Sequence, residues 1–222
     1  MERAVSTSGL TPTLARVLPF AAYIGLLVAA GWFPDPFWAY AARIVVVTGL
    51  LVFFARHYIE LQEGAGASWK AWLLSAATGA GVFVAWIHLD VPWLSFGLSG
   101  SFVPTTASGS VDWAVAGLRL FGAAAVVPVM EELFWRSFIL RSVDRSDFLS
   151  LPPVQATLKA LVVSSLLFGF EHQLWFAGVI AGLAYGWLYM RTGNLWVAVF
   201  AHAVTNLLLG VWIILTGNWQ FW

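Results

Sequence analysis

From residue 14 to residue 33 the chain carries one charged side chain, Arg16. An α-helix needs about 20 mostly apolar residues to cross a hydrocarbon layer roughly 30 Å thick. Comparable runs recur at 37–56, 69–87, 113–140, 156–170, 174–190 and 195–215. They are continuous and do not alternate residue by residue over ~10-residue segments, which argues against a membrane β-barrel. Charged residues make up 10% of the chain, against about 25% in a soluble domain. The expected fold is all-α: a polytopic membrane helical bundle of about seven transmembrane helices, or eight if 90–112 adds one. Residues 1–13 are small and polar and read as a disordered tail. Residues 14–222 read as a single membrane domain, with a catalytic core at about 113–215. The first run is taken as an uncleaved helix, not a signal peptide, because further runs follow at once.

The breaks between runs have recognisable chemistry. Pro34-Asp35-Pro36 stops the first run, and Arg191-Thr192-Gly193-Asn194 makes a turn before the last. Residues 60–68 read as a polar loop, and Asp144, Arg145 and Asp147 as solvated charges in another. The 90–112 stretch has no Lys or Arg. Its Trp93, Phe96 and Phe102 suit a lipid interface, and it has room for a short interfacial helix. His57 and His88 read as boundary residues, and 216–222 as an interfacial anchor. Gly178, Gly182 and Gly186 recur every four residues and make one smooth helix face that a neighbour can approach closely.

Positive charge orients the bundle. Arg3, Arg16, Arg56, Lys70, Arg141, Arg145, Lys159 and Arg191 all fall at one end, whereas Asp35, Asp90, Asp112 and Glu171 fall at the other. Arg43 and Arg119 lie near that second end, each several residues into a run. The positive-inside rule then places the amino terminus in the cytoplasm and the carboxyl terminus outside. Arg outnumbers Lys and Ala is abundant, which points to a GC-rich bacterial genome, and the expected location is a bacterial inner membrane. The formal net charge is zero, so no long-range field points to nucleic acid, and the expected partners are membrane lipid and a peptide or protein substrate. With 0 Cys, thiol nucleophiles and thiolate metal sites are excluded.

Against this background Glu131, Glu132 and Arg136 stand out inside the fourth run. A carboxylate in hydrocarbon costs roughly 2.5–3.5 kcal/mol on insertion scales, so intramembrane ionisable groups point to function. Glu132 and Arg136 are four apart on a helix and can pair; Glu131 lies about 100° round and needs another partner. Pro128, just before them, kinks this helix or starts a new one. At about 1.5 Å per residue from the cytoplasmic helix ends, Glu131 lies roughly 15 Å deep, His172 roughly 20 Å and His202 roughly 12 Å. Asn206, four residues after His202, shares its face. Three helices thus bring ionisable groups to similar depth. A buried Glu can take a proton from water, a neutral His can orient that water, and a second His with an Asn can donate to an oxyanion. The same Glu131, His172 and His202 could instead ligate Zn²⁺, although the H-E-x-x-H helix is absent. A third reading is a non-catalytic immunity, scaffold or transport protein that binds a peptide or ion at this cluster.

Glu131-Glu132-Leu133-Phe134-Trp135-Arg136 matches E-E-x-x-x-R, Phe168 and His172 match F-x-x-x-H, and His202 and Asn206 match H-x-x-x-N. In this order, with R-T-G-N-L-W between the last two, they resemble the three motifs of the CAAX protease and bacteriocin-processing family of intramembrane endopeptidases. The resemblance covers about residues 128–208. It implies that Glu131 and His172 activate water, that His202 and Asn206 form the oxyanion hole, and that Glu132 and Arg136 hold the first motif in place. It also implies a glutamate protease without a cofactor, the metalloprotease being the older alternative, acting on a peptide or protein that could carry a lipid. Eukaryotic members of the family cut the last three residues from prenylated proteins; that substrate does not carry over. Family members often have eight helices, so the shorter amino-terminal part is a departure.

Overall fold

The computed structural model describes residues 10–62, 66–97, 103–106 and 108–222. Helix α1 is Leu10–Val28 and α2 is Pro36–Phe53. The Pro34-Asp35-Pro36 break works as its chemistry predicts. Asp35 caps α2 by accepting from the Phe37 N–H at 2.7 Å, and Pro36 supplies the preset φ of a first helical residue. Helix α1 begins before residue 14, so 10–13 are helical and not tail. Pro12 sits in its first turn, where a missing N–H is tolerated. Residues 1–9 lie outside the described residues.

A short α3, Ile59–Gln62, leads to α4, Trp69–His88, capped by Ser68. Helix α5, Trp113–Asp144, starts on Asp112, whose carboxylate accepts from the Ala114 and Val115 N–H groups. Then come α6, Leu158–Glu171, α7, Trp175–Thr192, and α8, Leu195–Thr216. The architecture is the all-α membrane bundle expected. By length and composition α1, α2, α4, α5 and α8 can each cross a membrane. Helix α6, with 14 residues, spans only about 20 Å. Between α4 and α5 the described residues hold a 3-10 turn, Pro92–Leu94, and an isolated Thr105–Val111 bridge, but no eighth long helix. Phe102 lies outside the described residues.

Helices α6 and α7 pack along the glycine face. A Cβ on Gly178 would come to 2.9 Å from the Gly169 Cα, and one on Gly182 to 2.8 Å from the Ser165 Cα. Backbone meets backbone there, which brings His172, at the end of α6, against the bundle axis. On the opposite side, the carbonyl of Gly79 in α4 accepts from Thr205 Oγ1 of α8 at 2.8 Å. That contact fixes the rotation of α8 and so the direction of His202.

Pro128 neither breaks α5 nor starts a new helix. The turn before it, Gly122–Val126, is π-helical, with the Val127 N–H bonded to the Gly122 carbonyl. In that register the next carbonyl, that of Ala123, would take the N–H of residue 128, which proline lacks. The Ala123 carbonyl accepts instead from Asn206 Nδ2 at 2.8 Å. A second π-helical stretch, Leu133–Leu140, follows the carboxylates.

Two loops are less solvated than their composition suggests. Glu60 is not a loop charge: Arg16 Nη2 lies 2.5 Å from its Oε2, Ser137 donates to Oε1, and Arg141 Nη1 is 3.8 Å away. Arg16 and Arg141 are buried. Asp144 accepts from both the backbone N–H and the hydroxyl of Thr157 at 2.7 Å, tying the end of α5 to the start of α6.

Candidate active site

Helix α5 supplies the acidic groups. Glu132 is fully buried, and its Oε2 lies 3.0 Å from Arg136 Nε, the i,i+4 ion pair that the spacing predicts. The Arg136 guanidinium is stacked on Phe168, 4.3 Å from the ring centre, and lies 5.5 Å from that of Tyr185. The other carboxylate oxygen of Glu132, Oε1, is 2.9 Å from His202 Nδ1. A carboxylate accepts, so Nδ1–H donates and Nε2 is turned the other way. Nε2 faces Glu131 Oε2 across 3.9 Å. That gap is too wide for a hydrogen bond. Glu131 is 4% exposed, and its Oε2 is buried without a hydrogen-bond partner among the described residues.

His172 follows the last residue of α6 in extended conformation, its backbone N–H bonded to the Gly169 carbonyl. Its Nδ1 lies 2.8 Å from the Phe168 carbonyl. A carbonyl can only accept, so Nδ1 carries the proton and Nε2 presents a lone pair in the neutral ring. The ring sits edge-on to Trp86 at 5.4 Å. Asn206 is oriented by the same logic. Its Nδ2 faces the Ala123 carbonyl, which leaves a second Nδ2–H to offer elsewhere.

Glu131, His172, His202 and Asn206 all line one cavity of about 260 Å³. Helices predicted to be at similar depth therefore do converge. Glu132 and Arg136 stand behind this cavity, and Glu132 is joined directly to His202. Glu131 and His172 share the cavity without an ion pair between them.

Several lining residues were not legible in the sequence. Tyr185 of α7 stacks on His202, with centroids 5.0 Å apart and planes at 19°, and its hydroxyl donates to Thr205 Oγ1 at 2.6 Å. Nothing in its local sequence separates it from a packing tyrosine. Arg43 and Arg119 also line the cavity; their one signal was their position inside apolar runs. Glu171, beside His172, accepts from Trp135 Nε1 at 3.1 Å.

For zinc, the proposed ligands were Glu131, His172 and His202. Among the described residues no group of three His, Cys, Asp or Glu side chains is arranged to hold a metal ion.

Residues 113–208, the part of the chain that builds this cavity, match the family described as type II CAAX prenyl endopeptidase Rce1-like. This stretch of the chain is therefore similar to the CAAX protease and bacteriocin-processing family of membrane endopeptidases. A relative is the Bacillus subtilis (strain 168) protein named "Putative membrane peptidase YdiL". It is 28% identical over 132 residues, which is 57% of this chain and 51% of the relative. The chain thus spans about half the length of the curated relative it matches. No solved structure matches.

Proposed function

We propose that this protein is an intramembrane endopeptidase that hydrolyses a peptide bond with water activated by Glu131 and His172. The observation that carries the reading is the unpartnered Glu131 Oε2, facing His202 Nε2 across 3.9 Å in a cavity also lined by His172 and Asn206. A water between these groups gives one proton to the Glu131 carboxylate while His172 Nε2 accepts a hydrogen bond from it. The hydroxide attacks the substrate carbonyl carbon. The resulting oxyanion accepts from the second Nδ2–H of Asn206 and from His202 Nε2–H. With Nδ1–H committed to Glu132, His202 offers that second donor only when the ring carries both protons. Collapse of the intermediate breaks the C–N bond, and Glu131 returns the proton to the leaving nitrogen. A removed oxyanion donor costs about 2.7–4 kcal/mol in comparable sites.

The substrate in this reading is a peptide or protein within the membrane. The test is cleavage of a membrane peptide by the purified protein, with and without a chelator. Cleavage that persists under chelation is the expected result. Loss with the chelator, restored by Zn²⁺, would replace this mechanism with the metal-dependent one.

The same reading orients the site. Exposed Arg56, Lys70, Arg145, Lys159 and Arg191 all lie at one end of the bundle. The cavity continues toward the opposite end, into a space of about 660 Å³ lined by Gly31, Phe33, Pro36 and Gln220. A cytoplasmic amino terminus therefore makes the mouth extracytoplasmic. Because the chain has 0 Cys, single cysteines report this directly. A membrane-impermeant maleimide applied to intact cells should label Gln220→Cys, and Val154→Cys only after lysis. The reverse pattern would invert the topology.

A further inference from the structure

Arg43, the eighth residue of α2, and Arg119, the seventh of α5, line both the inner cavity and the larger outer one. Each lies about 10 Å along its helix from the outer end. They share one aromatic ring: the Arg43 guanidinium lies 5.0 Å from the centre of Tyr40 and that of Arg119 lies 5.4 Å from it. Arg43 also rests on Tyr23 at 4.6 Å, and Arg119 on Trp222 at 5.1 Å. Tyr40 is itself fixed, its hydroxyl donating to the Arg119 carbonyl at 3.0 Å. Elsewhere in the bundle the buried arginines have carboxylates: Arg16 and Arg141 share Glu60, and Arg136 has Glu132. Arg43 has none, since no described carboxylate lies in ion-pairing distance of it and its Nε is buried without a hydrogen-bond partner.

We infer that Arg43 and Arg119 form an anion subsite that holds a carboxylate of the peptide substrate beside the bond to be cut. Two cations on one ring repel each other, and salt does not screen them inside a bilayer. An anion between them removes that repulsion, and a guanidinium offers a carboxylate paired parallel donors. Tyr23 and Tyr40 flank the Arg43 guanidinium and supply cation–π support without accepting from its Nε–H. The depth favours a substrate over a lipid. Headgroup phosphates lie outside the hydrocarbon, whereas Arg43 lines the same inner cavity as Glu131, His202 and Asn206. The carboxylate has two possible sources, the free end of a chain or an Asp or Glu side chain. This inference rests on the peptidase reading for the identity of the ligand, so its test measures binding apart from cleavage.

The protein in neutral phosphatidylcholine vesicles is titrated with an Ala-Leu hexapeptide capped at its amino end by a dansyl group, which is uncharged at neutral pH, in three forms: a free carboxyl terminus, a terminal amide, and a terminal amide with one internal Glu. At least one acid-bearing form should bind about tenfold or more tightly than the neutral amide. Which form does so identifies the source. The advantage should vanish in Arg43→Gln and be kept only in part in Arg43→Lys, which retains the charge but not the paired donors. The comparison of peptides on the unaltered protein holds even if a variant folds poorly. Equal binding of all three forms, or binding of none, overturns the subsite. So does an Arg43→Gln effect that appears only when anionic lipid is added. Carboxylate-dependent binding without cleavage keeps the subsite and removes the peptidase; cleavage indifferent to the carboxylate does the reverse.

Discussion

Replacing Glu131 by Gln should lower peptide hydrolysis by about 10²–10⁴, the usual worth of a general base, while leaving the protein folded. Both halves of this expectation follow from the surroundings of one side chain. Gln keeps the size of Glu but cannot hold the proton that water must give up. The Glu131 Oε2 has no hydrogen-bond partner among the described residues, and His202 Nε2, which it faces, is 3.9 Å away. Neutralising it therefore strands no charge and breaks no bond. The measurement is the cleavage rate of purified protein beside its unfolding midpoint in detergent. Hydrolysis at the wild-type rate in Glu131→Gln would remove the glutamate mechanism. A variant that keeps full cellular function with no cleaved product would instead favour a non-catalytic binding protein.

Replacing Arg136 by Met should act the other way, through stability first. Arg136 and Glu132 are both buried and lie 3.0 Å apart. Removing the cation leaves Glu132 as an uncompensated buried charge with His202 as its one remaining partner. Breaking such a pair from one side costs about 3–5 kcal/mol, whereas replacing both members often costs little. Arg136→Met should therefore unfold at clearly lower denaturant than wild type. Adding Glu132→Gln to it should recover much of the loss, though not activity, because a neutral amide does not fix the His202 ring as a carboxylate does. Arg136→Lys should rescue only in part, since an ammonium does not stack on Phe168 as a guanidinium does. An Arg136→Met protein as stable as wild type would mean that the pair contributes nothing to the fold.

These two neighbours show how far a sequence reading reaches. The pairing of Glu132 with Arg136 was legible because it depends only on helix period. The same holds for the shared face of His202 and Asn206, and for the glycine face that receives α6. The angular offset of Glu131 kept it out of that pair, but no other side chain bonds its Oε2 among the described residues, and His202 Nε2 stays 3.9 Å away. That His202 reaches across to Glu132 was not, since those residues lie 70 apart in the chain.

Local chemistry thus determined the apolar runs, their caps, the three polar motifs and the approximate depth of each. Tertiary structure alone decided how each helix is turned about its own axis. A helix that is apolar on all sides carries little amphipathic signal to set that rotation, because lipid and protein interior are nearly equivalent solvents for Leu and Val. The rotation came instead from close backbone contacts, Gly182 on Ser165 and the Gly79 carbonyl on Thr205, and from the carbonyl that Pro128 leaves to Asn206. On α2, Tyr40 and Ile44 packed over Gly122 and the Tyr40 hydroxyl bonded to the Arg119 carbonyl turn Arg43 toward the cavity, and Glu60 meets Arg16, because an intramembrane charge takes whichever partner the packing turns toward it.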